Sequence, residues 1–314
     1  MRNRRGLFVF STVLMFFFAL VSISAADAPN VSNDQDLKGS GFDITTDELI
    51  ELLSFQRSVR LDPDSKILSD WDSRLERLTL RELERSENRY AYAVDPLRHR
   101  QIIAIRGTAN LMNALLDVEY WKRESPELGI MLHHGFEVAA SIVFNDVKQY
   151  LRSDLPIVVC GHSLGAAESI IVGMFLTKAG YDVEKIVASG PPKVTDAEGW
   201  LAFKSLPVVR VTAAFDPVPF LPPASLYRKA PFEQGGPLLM LLDGPYMTIA
   251  QPGFYDAMSA AFREAKKVSE HFDIVDHRVW TYLARAEEKR QSVTFVPFQE
   301  WQAFAKPRDI KTSP

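Results

Sequence analysis

The sequence predicts an α/β fold in which a mostly parallel central sheet is flanked by helices. In the second half of the chain, short apolar runs alternate with helical patterns, as they do when strands are buried on both faces of a parallel sheet. The composition is that of a globular protein, with 46% hydrophobic and 24% charged residues among 314. We therefore expect one domain over residues 42–314, with its chemistry at the carboxyl ends of the strands.

The first 26 residues form a separate segment with the pattern of a secretory signal. Arg2, Arg4 and Arg5 precede an apolar run over residues 6–23, and small residues follow up to Ala26. Cleavage near Ala26 would leave an exported protein, secreted or periplasmic. The alternative is a membrane anchor formed by residues 6–23, because about 18 apolar residues can just span a bilayer.

Charge and cysteine content exclude several classes of function. The formal net charge is -4, so the sequence lacks the basic surface that is typical of nucleic-acid binding proteins. Cys160 is the single cysteine, which excludes an intrachain disulfide and a four-cysteine metal site. Histidines and carboxylates occur at no recognisable metal spacing, so we expect no metal and no organic cofactor. Calcium, whose oxygen ligands follow no fixed pattern here, stays open, as does the oligomeric state.

The first part of the domain is predicted to contain two helices and a β-hairpin. Before it, the polar, turn-forming residues 27–41 predict a flexible linker. Thr45 or Thr46 can cap the first helix, because Asp47 and Glu48 follow in its first turn. The predicted second helix and the two hairpin strands cover, in order, residues 75–84, 90–94 and 101–106.

The second part of the domain alternates apolar strands with helices. Gly180 is expected to lie just beyond the end of the helix that follows the first of these strands, where glycine is the favoured residue. The predicted strands cover residues 156–160, 183–189, 207–213 and 238–242. The predicted helices cover residues 136–151, 164–179 and 253–268.

The sharpest signal is the sequence Gly-His-Ser-Leu-Gly at residues 161–165. It directly follows an apolar strand and opens an alanine-rich helix, the context in which G-x-S-x-G presents a nucleophilic serine. The glycines permit a tight turn, and the helix N-terminus beneath Ser163 favours developing negative charge. We therefore predict Ser163 as a catalytic nucleophile.

A serine nucleophile needs a histidine base and an orienting carboxylate, in the chain order Ser, Asp or Glu, His. After Ser163 the histidines are His271 and His277. We prefer His277, because it begins a predicted helix with Asp276 as a candidate N-cap, whereas His271 follows a charged stretch. The other histidines near the elbow are interpreted as structural: His133, His134 and His162.

The predicted acid is Asp216. It follows a predicted strand and precedes Pro217, which ends the strand and fixes a loop. Asp243 and Asp256 are the alternatives. Together with Ser163, these residues point to acyl transfer through a serine nucleophile.

Six motifs, in order along the chain, resemble those of the class 3 lipases, the fungal-lipase-like branch of the α/β-hydrolases. They are residues 105–108 (IRGT), 132–136 (LHHGF), 161–167 (GHSLGAA), 190–194 (GPPKV), 215–223 (FDPVPFLPP) and 276–283 (DHRVWTYL). Each motif is weak by itself, but six in the right order are specific. The resemblance spans about residues 88–286 and implies an α/β-hydrolase fold.

The resemblance also implies a serine ester hydrolase, a lipase or esterase that acts on lipid or other acyl esters without a cofactor. Ser163, Asp216 and His277 would form its catalytic triad. The backbone N–H of Leu164 and the donors of Thr108 would form its oxyanion hole. The expected partners are a lipid or small acyl-ester substrate and a lipid interface, and not a nucleic acid.

Two features of the resemblance leave alternatives open. Residues 109–117 stand where fungal lipases carry an amphipathic lid, but their apolar spacing also suits a core helix. Lys193 stands where the family usually has arginine. The alternative functions are an acyltransferase or thioesterase with the same acyl-enzyme, and a catalytically inactive, lipid-binding member of the fold.

Overall fold

The computed structural model describes residues 37, 41–61, 65–83, 88–106, 122–222, 230–235, 238–250 and 275–306. The helices in these ranges are α1 (Thr46–Ser58), α2 (Lys66–Asp72), α3 (His134–Val147), α4 (Leu164–Lys178), α5 (Ala197–Ala202) and α6 (Val279–Glu287). The strands are β1 (Glu76–Leu83), β2 (Asn88–Asp95), β3 (Arg100–Ile105), β4 (Lys122–Glu124), β5 (Met131–His133), β6 (Ile157–His162), β7 (Val183–Ser189), β8 (Val208–Ala213), β9 (Leu238–Leu241), β10 (Tyr246–Ala250) and β11 (Thr294–Phe295). Short 3-10 turns cover Val218–Phe220, Val275–His277 and Phe298–Phe304.

A nine-stranded sheet organises the described residues, in the order β1-β2-β3-β6-β7-β8-β9-β10-β11. Its centre, from β3 to β9, is parallel. Antiparallel pairs extend it at both sides, with β1 and β2 before β3 and with β10 after β9. The strands β4 and β5 pair separately. The predicted mostly parallel sheet flanked by helices is therefore confirmed.

Side chains alternate between the two faces of the sheet, and each face is covered by different helices. On β6, Ile157 and Val159 belong to the core that includes α3 and α4. Val158 and Cys160 belong to the core that includes α1, α2 and α6. Each fully buried aliphatic side chain contributes about 1.5–3 kcal/mol, so the central strand is fixed from both sides.

Most of the predicted elements are confirmed. Thr45 caps α1, because its Oγ1 accepts a hydrogen bond from the N–H of Glu48 at 3.1 Å. The strands β2 and β3 form the predicted hairpin, and β7 covers the predicted residues. Gly180 follows α4 with a φ of 84°, which is the left-handed conformation expected beyond a helix end. The helix α3 lies earlier in the chain than predicted, at His134–Val147.

The predicted helix over residues 75–84 is wrong, because this segment forms β1. Leu78 and Leu80 pack against the core on one face of the sheet. Arg81, one position further along, pairs with Asp146 of α3 on the opposite side, with its Nε 3.0 Å from Oδ2. This period of two is that of a strand. The abundance of charged residues suggested a helix, but β1 lies at the edge of the sheet, where charged side chains are favourable.

Several predicted segments lie outside the described residues. They are the signal segment 1–26, the lid segment 109–117 and the helix 253–268. Within the predicted linker 27–41, Leu37 is buried in the core, and its carbonyl accepts a hydrogen bond from the N–H of Phe42 at 3.4 Å. Among the described helices, none is long and apolar enough to cross a membrane.

Candidate active site

The predicted nucleophile lies in a strained turn between β6 and α4. Ser163 has φ 64° and ψ -127°, a conformation that residues other than glycine rarely adopt. Its N–H donates to the carbonyl of Ser189 at 2.9 Å, and its own carbonyl accepts from the N–H of Ala166 at 2.9 Å. A Cβ on Gly161 would lie 2.2 Å from the carbonyl oxygen of Gly165, so the turn requires glycine there. These contacts hold the serine in place from both β7 and α4.

The predicted acid and base are in direct contact. His277 Nδ1 lies 2.7 Å from Asp216 Oδ2, and both side chains are buried. The other carboxylate oxygen accepts a hydrogen bond from the N–H of Val218 at 2.8 Å. The hydroxyl of Tyr282 donates to Oδ2. A carboxylate beside Nδ1 favours the tautomer that carries its proton there, which leaves Nε2 free to accept a proton.

Two polar atoms of the site are buried without a hydrogen bond to any described residue. They are Ser163 Oγ and His277 Nε2. A buried polar atom without a partner costs roughly 1–3 kcal/mol, so each one calls for an explanation. Oγ is the atom that would attack an acyl carbon, and Nε2 is the atom that would take its proton.

His162, at the variable position of the elbow, packs against the predicted base. The ring centroids of His162 and His277 are 4.8 Å apart. His162 Nδ1 lies 3.1 Å from Ser189 Oγ, which in turn donates to Gln56 Oε1 at 2.6 Å. Burial, with a further contribution from repulsion by His277, lowers the pKa of His162 well below its ordinary value. His162 is therefore a neutral ring that supports the neighbouring imidazole.

The two histidines before the elbow lie at the start of α3. His133 caps this helix, with its Nδ1 3.4 Å from the N–H of Phe136, and burial lowers its pKa to about 4. His134 lies 3.4 Å from a guanidinium nitrogen of Arg123 and 3.8 Å from Glu137. These contacts hold the start of α3 and agree with the structural interpretation of both histidines.

Gly190 and Tyr282 touch the acid–base pair, although neither is among the site residues predicted from the sequence. Gly190 has a φ of 59°. A Cβ on it would lie 3.0 Å from both Asp216 Oδ2 and His277 Cε1, and 2.8 Å from the hydroxyl of Tyr282. Both residues belong to motifs that carry the lipase resemblance, which is the signal that could have identified them.

The predicted helix cap at Asp276 is wrong. His277 ends the 3-10 turn, and α6 begins at Val279 without a side-chain cap. Asp276 Oδ1 instead accepts a hydrogen bond from Arg285 Nη2 at 3.0 Å. A charge-assisted bond to a buried guanidinium is stronger than a bond to a backbone N–H, which explains the preference.

The other candidate residues are placed elsewhere or not described. Thr108, His271 and Asp256 lie outside the described residues. Asp243 Oδ1 lies 3.2 Å from Arg285 Nη1, so its partner is an arginine. Leu164 is the first residue of α4, and its N–H therefore has no carbonyl one turn earlier to bind. Within the described ranges, no group of three or more His, Cys, Asp or Glu residues could hold a metal ion.

Comparisons with known proteins connect this geometry to a family. Residues 102–226 match the family model described as Lipase (class 3). The secreted mono- and diacylglycerol lipase 1 of Fusarium solani is 30% identical over 159 residues, which are 46% of this chain and 47% of that protein. The chain thus matches about half the length of this relative.

Solved structures show the same fold. Lipase II from Rhizopus niveus is 22% identical, with a TM-score of 0.54 over 64% of this chain and 83% of that one. A triacylglycerol lipase whose catalytic centre is a serine protease triad is 19% identical, with a TM-score of 0.53 over the same shares. The predicted α/β-hydrolase fold is therefore confirmed.

The family match includes Ser163 and Asp216 and ends before His277. It also includes five complete motifs of the predicted resemblance, from the IRGT segment to FDPVPFLPP. Within residues 102–226, this chain is therefore similar to the class 3 lipases.

Proposed function

We propose that this protein is a serine carboxylic-ester hydrolase that acts on lipid or other acyl esters. Ser163 is its nucleophile, His277 its base and Asp216 the acid that orients the base. The observation that carries the proposal is the 2.7 Å contact between His277 Nδ1 and Asp216 Oδ2 beside an elbow serine whose Oγ is unbonded to any described residue.

The proposed reaction has two steps. In the first, Ser163 Oγ attacks the ester carbonyl while His277 Nε2 takes its proton, and the alcohol then leaves with that proton from His277. In the second, water attacks the acyl-enzyme, His277 accepts a proton from the water, and Ser163 recovers its proton as the acid is released. Asp216 stabilises the imidazolium that forms in both steps.

The oxyanion of each tetrahedral intermediate needs hydrogen-bond donors. We assign the N–H of Leu164, at the N-terminus of α4, as one donor. Thr108 is the proposed second donor by its position in the IRGT motif. Removing one such donor typically lowers kcat by about 10²–10³-fold.

Glyceride esters are the first substrates to test. The Fusarium solani relative is named as a mono- and diacylglycerol lipase, and the structural neighbours are lipases. Phospholipids and simple esters are the other substrate classes, because a fold and a triad do not fix the substrate. The lid at residues 109–117 stays a prediction.

We further propose that residues 42–314 form the catalytic domain and that the protein is exported. Residues 1–26 have the pattern of a secretory signal, and the Fusarium solani relative is named as secreted. The alternative for residues 6–23 is a membrane anchor. Sequencing the N-terminus of the exported protein distinguishes a chain that begins near Asp27 from an uncleaved one.

The direct test is hydrolysis by the purified protein of mono-, di- and triacylglycerols and of p-nitrophenyl esters with short to long acyl chains. Ser163→Ala should lower the rate by about 10⁶-fold, because the nucleophile is lost. Ser141→Ala, which removes an exposed hydroxyl from α3, should leave the rate unchanged.

Two outcomes would contradict the proposal. One is no hydrolysis of any ester, even at a lipid interface. The other is acyl transfer to an added alcohol or thiol with no free acid released, which would identify an acyltransferase. If free acid is released, the acyl-chain preference decides between an esterase and a lipase.

A further inference from the structure

Beside the proposed site, the segment 230–235 carries a buried glutamine that the reaction does not use. Gln234 Nε2 donates two hydrogen bonds, to the carbonyl of Pro191 at 3.0 Å and to the carbonyl of Pro219 at 2.7 Å. Its Oε1 accepts from Arg210 Nη1 at 2.5 Å. Both N–H groups and the oxygen of one buried amide are therefore engaged, an arrangement that fixes its orientation.

The two carbonyls that Gln234 binds belong to the loop that follows Gly190 and to the loop that carries Asp216. Pro191 directly follows Gly190, and Pro219 follows Asp216 by three residues. The loops meet at Gly190, where a Cβ would lie 3.0 Å from both Asp216 Oδ2 and His277 Cε1. Gly190 is therefore in tight contact with both Asp216 and His277. A small displacement of its loop would disturb the contact between those two residues.

The backbone around Gln234 is itself anchored. The N–H of Glu233 donates to the carbonyl of Thr195 at 2.8 Å, and Trp200 Nε1 donates to the carbonyl of Glu233 at 3.0 Å. Gly235 packs on the indole of Trp200 so closely that a Cβ would lie 2.1 Å from the ring. The amide is thus held on both sides along the chain, as a rigid support requires.

The same two loops share one direct contact. The N–H of Lys193 donates to the carbonyl of Leu221 at 2.7 Å, two residues beyond each of the prolines that Gln234 binds. Loss of the Gln234 bridge would therefore loosen the loops near the reacting groups without separating them.

We propose that Gln234, oriented by Arg210, is a positioning residue that sets the spacing between Gly190 and the Asp216–His277 pair. Its kinetic consequence rests on the proposed function. Displacing a catalytic group by about 1 Å can lower a rate about 10²-fold, so a loosened loop should reduce kcat more than it changes KM.

Gln101 provides a matched control in the same protein. It is buried, and its Nε2 also donates to two loop carbonyls, those of Arg152 at 2.9 Å and of Leu155 at 2.8 Å. Its Oε1 accepts from the hydroxyl of Tyr92 at 3.0 Å. Gln101 lies at the start of β3, at the end of the sheet opposite Ser163.

The experiment compares Gln234→Met with Gln101→Met. Both should lower the melting temperature, because each leaves two carbonyls without their side-chain donor, buried beside Gln234 and partly buried beside Gln101. We expect Gln234→Met to lower kcat per folded molecule about 10–100-fold with little change in KM, and Gln101→Met to leave kcat near the wild-type value. Equal losses of stability with kcat unchanged in both variants would overturn the proposal.

A second readout does not depend on any substrate. The proton between His277 Nδ1 and Asp216 should give a downfield NMR resonance, identified by its absence in Asp216→Ala. It should shift or broaden in Gln234→Met and stay unchanged in Gln101→Met; an unchanged resonance in Gln234→Met would contradict the proposal. If the wild-type protein hydrolyses no ester, the proposed function fails, while this resonance still decides the positioning role.

Gln234→Glu is a second variant that tests the proposal if Gln234→Met does not fold. It preserves the size of the side chain and the contact with Arg210 but loses both N–H donors. The same loss of kcat and the same change in the resonance are expected in it. A folded Gln234→Glu variant with wild-type kcat and an unchanged resonance would count against the proposal as strongly as the same result in Gln234→Met.

Discussion

Polar side chains at the two ends of the central sheet differ in their hydrogen bonding. At the amino end, the carboxylate of Glu48 on α1 is paired: it accepts hydrogen bonds from Arg100 at 2.5 Å and from Lys185 at 2.8 Å. At the carboxyl end, Ser163 Oγ and His277 Nε2 are buried without a hydrogen bond to any described residue. The amino end therefore contributes stability, while the carboxyl end retains the unpaired groups that a reaction would use.

Glu48 and Glu168 show the same difference between a paired side chain and an unpaired one. Burial by itself would raise the pKa of Glu48, but the hydrogen bonds from Lys185 and Arg100 outweigh it and lower that pKa. Glu168 lies on α4, five residues after Ser163 and about 7.5 Å further along the helix axis. Neither of its carboxylate oxygens has a hydrogen-bond partner in the described structure, and burial raises its pKa to about 8. At neutral pH the first glutamate is therefore charged and the second is protonated.

The largest expected effect comes from the carboxyl end. Asp216→Asn should lower kcat for ester hydrolysis by about 10⁴-fold, because the amide favours the wrong tautomer of His277. Steady-state kinetics on the best ester substrate measure this loss, and thermal unfolding checks that the variant is folded. A loss of less than tenfold would mean that Asp216 does not orient the base.

The second effect concerns the stability of the fold against pH. The folded-state pKa of Glu168, about 8, lies above its ordinary value of 4.5. Its stabilising contribution is therefore present in full below pH 4.5 and is lost as the pH rises through 8. Glu168→Gln should lack this loss, which amounts to about 4 kcal/mol between pH 5 and pH 9. Urea unfolding at both pH values measures it.

Glu48→Gln is the matched control for this experiment. Its lowered pKa places its stabilising contribution above the ordinary carboxyl range, and that contribution is lost as the pH falls. The two glutamine variants should therefore change the pH profile of stability in opposite directions. Identical profiles in both would show that the pairing at the two ends does not differ as described.

The third effect is the smallest. It separates the influence of the Gly190 contact from that of backbone strain. Gly190→Ala should lower kcat about 10²-fold, because its Cβ would press on Asp216 and His277. Gly180→Ala is the control, since Gly180 also has a positive φ but a Cβ on it would have no described atom within 4 Å. Both variants should lose about 1–2 kcal/mol of stability from the unfavourable φ. Equal activities would show that the Gly190 contact is unimportant.

Local chemistry made much of this molecule predictable. The glycines around Ser163 indicate a tight turn, and the apolar runs indicate buried strands. Asp216 and His277 follow from the chain order that a serine mechanism requires, and their contact at 2.7 Å agrees with that prediction. Their catalytic roles remain our proposal.

The supporting contacts could not be predicted, because they join segments that are far apart in the chain. Gln234 binds a carbonyl 43 residues earlier, and Gln56 accepts from a hydroxyl 133 residues later. Neither glutamine stands in a motif that signals such a contact. The error at β1 has a different cause: its alternation is short, and its many charges are equally common on an exposed helix.

Cys160 has a practical consequence for following the motions of this protein. Its thiol lies at the centre of the sheet, paired in register with Ala104 of β3 and Val187 of β7. Burial raises its pKa to about 12, so the reactive thiolate is almost absent at neutral pH. A thiol reagent can therefore modify it only in molecules whose central strands have separated. Because the chain has one cysteine, the labelling rate in native buffer reports on the opening of these strands alone.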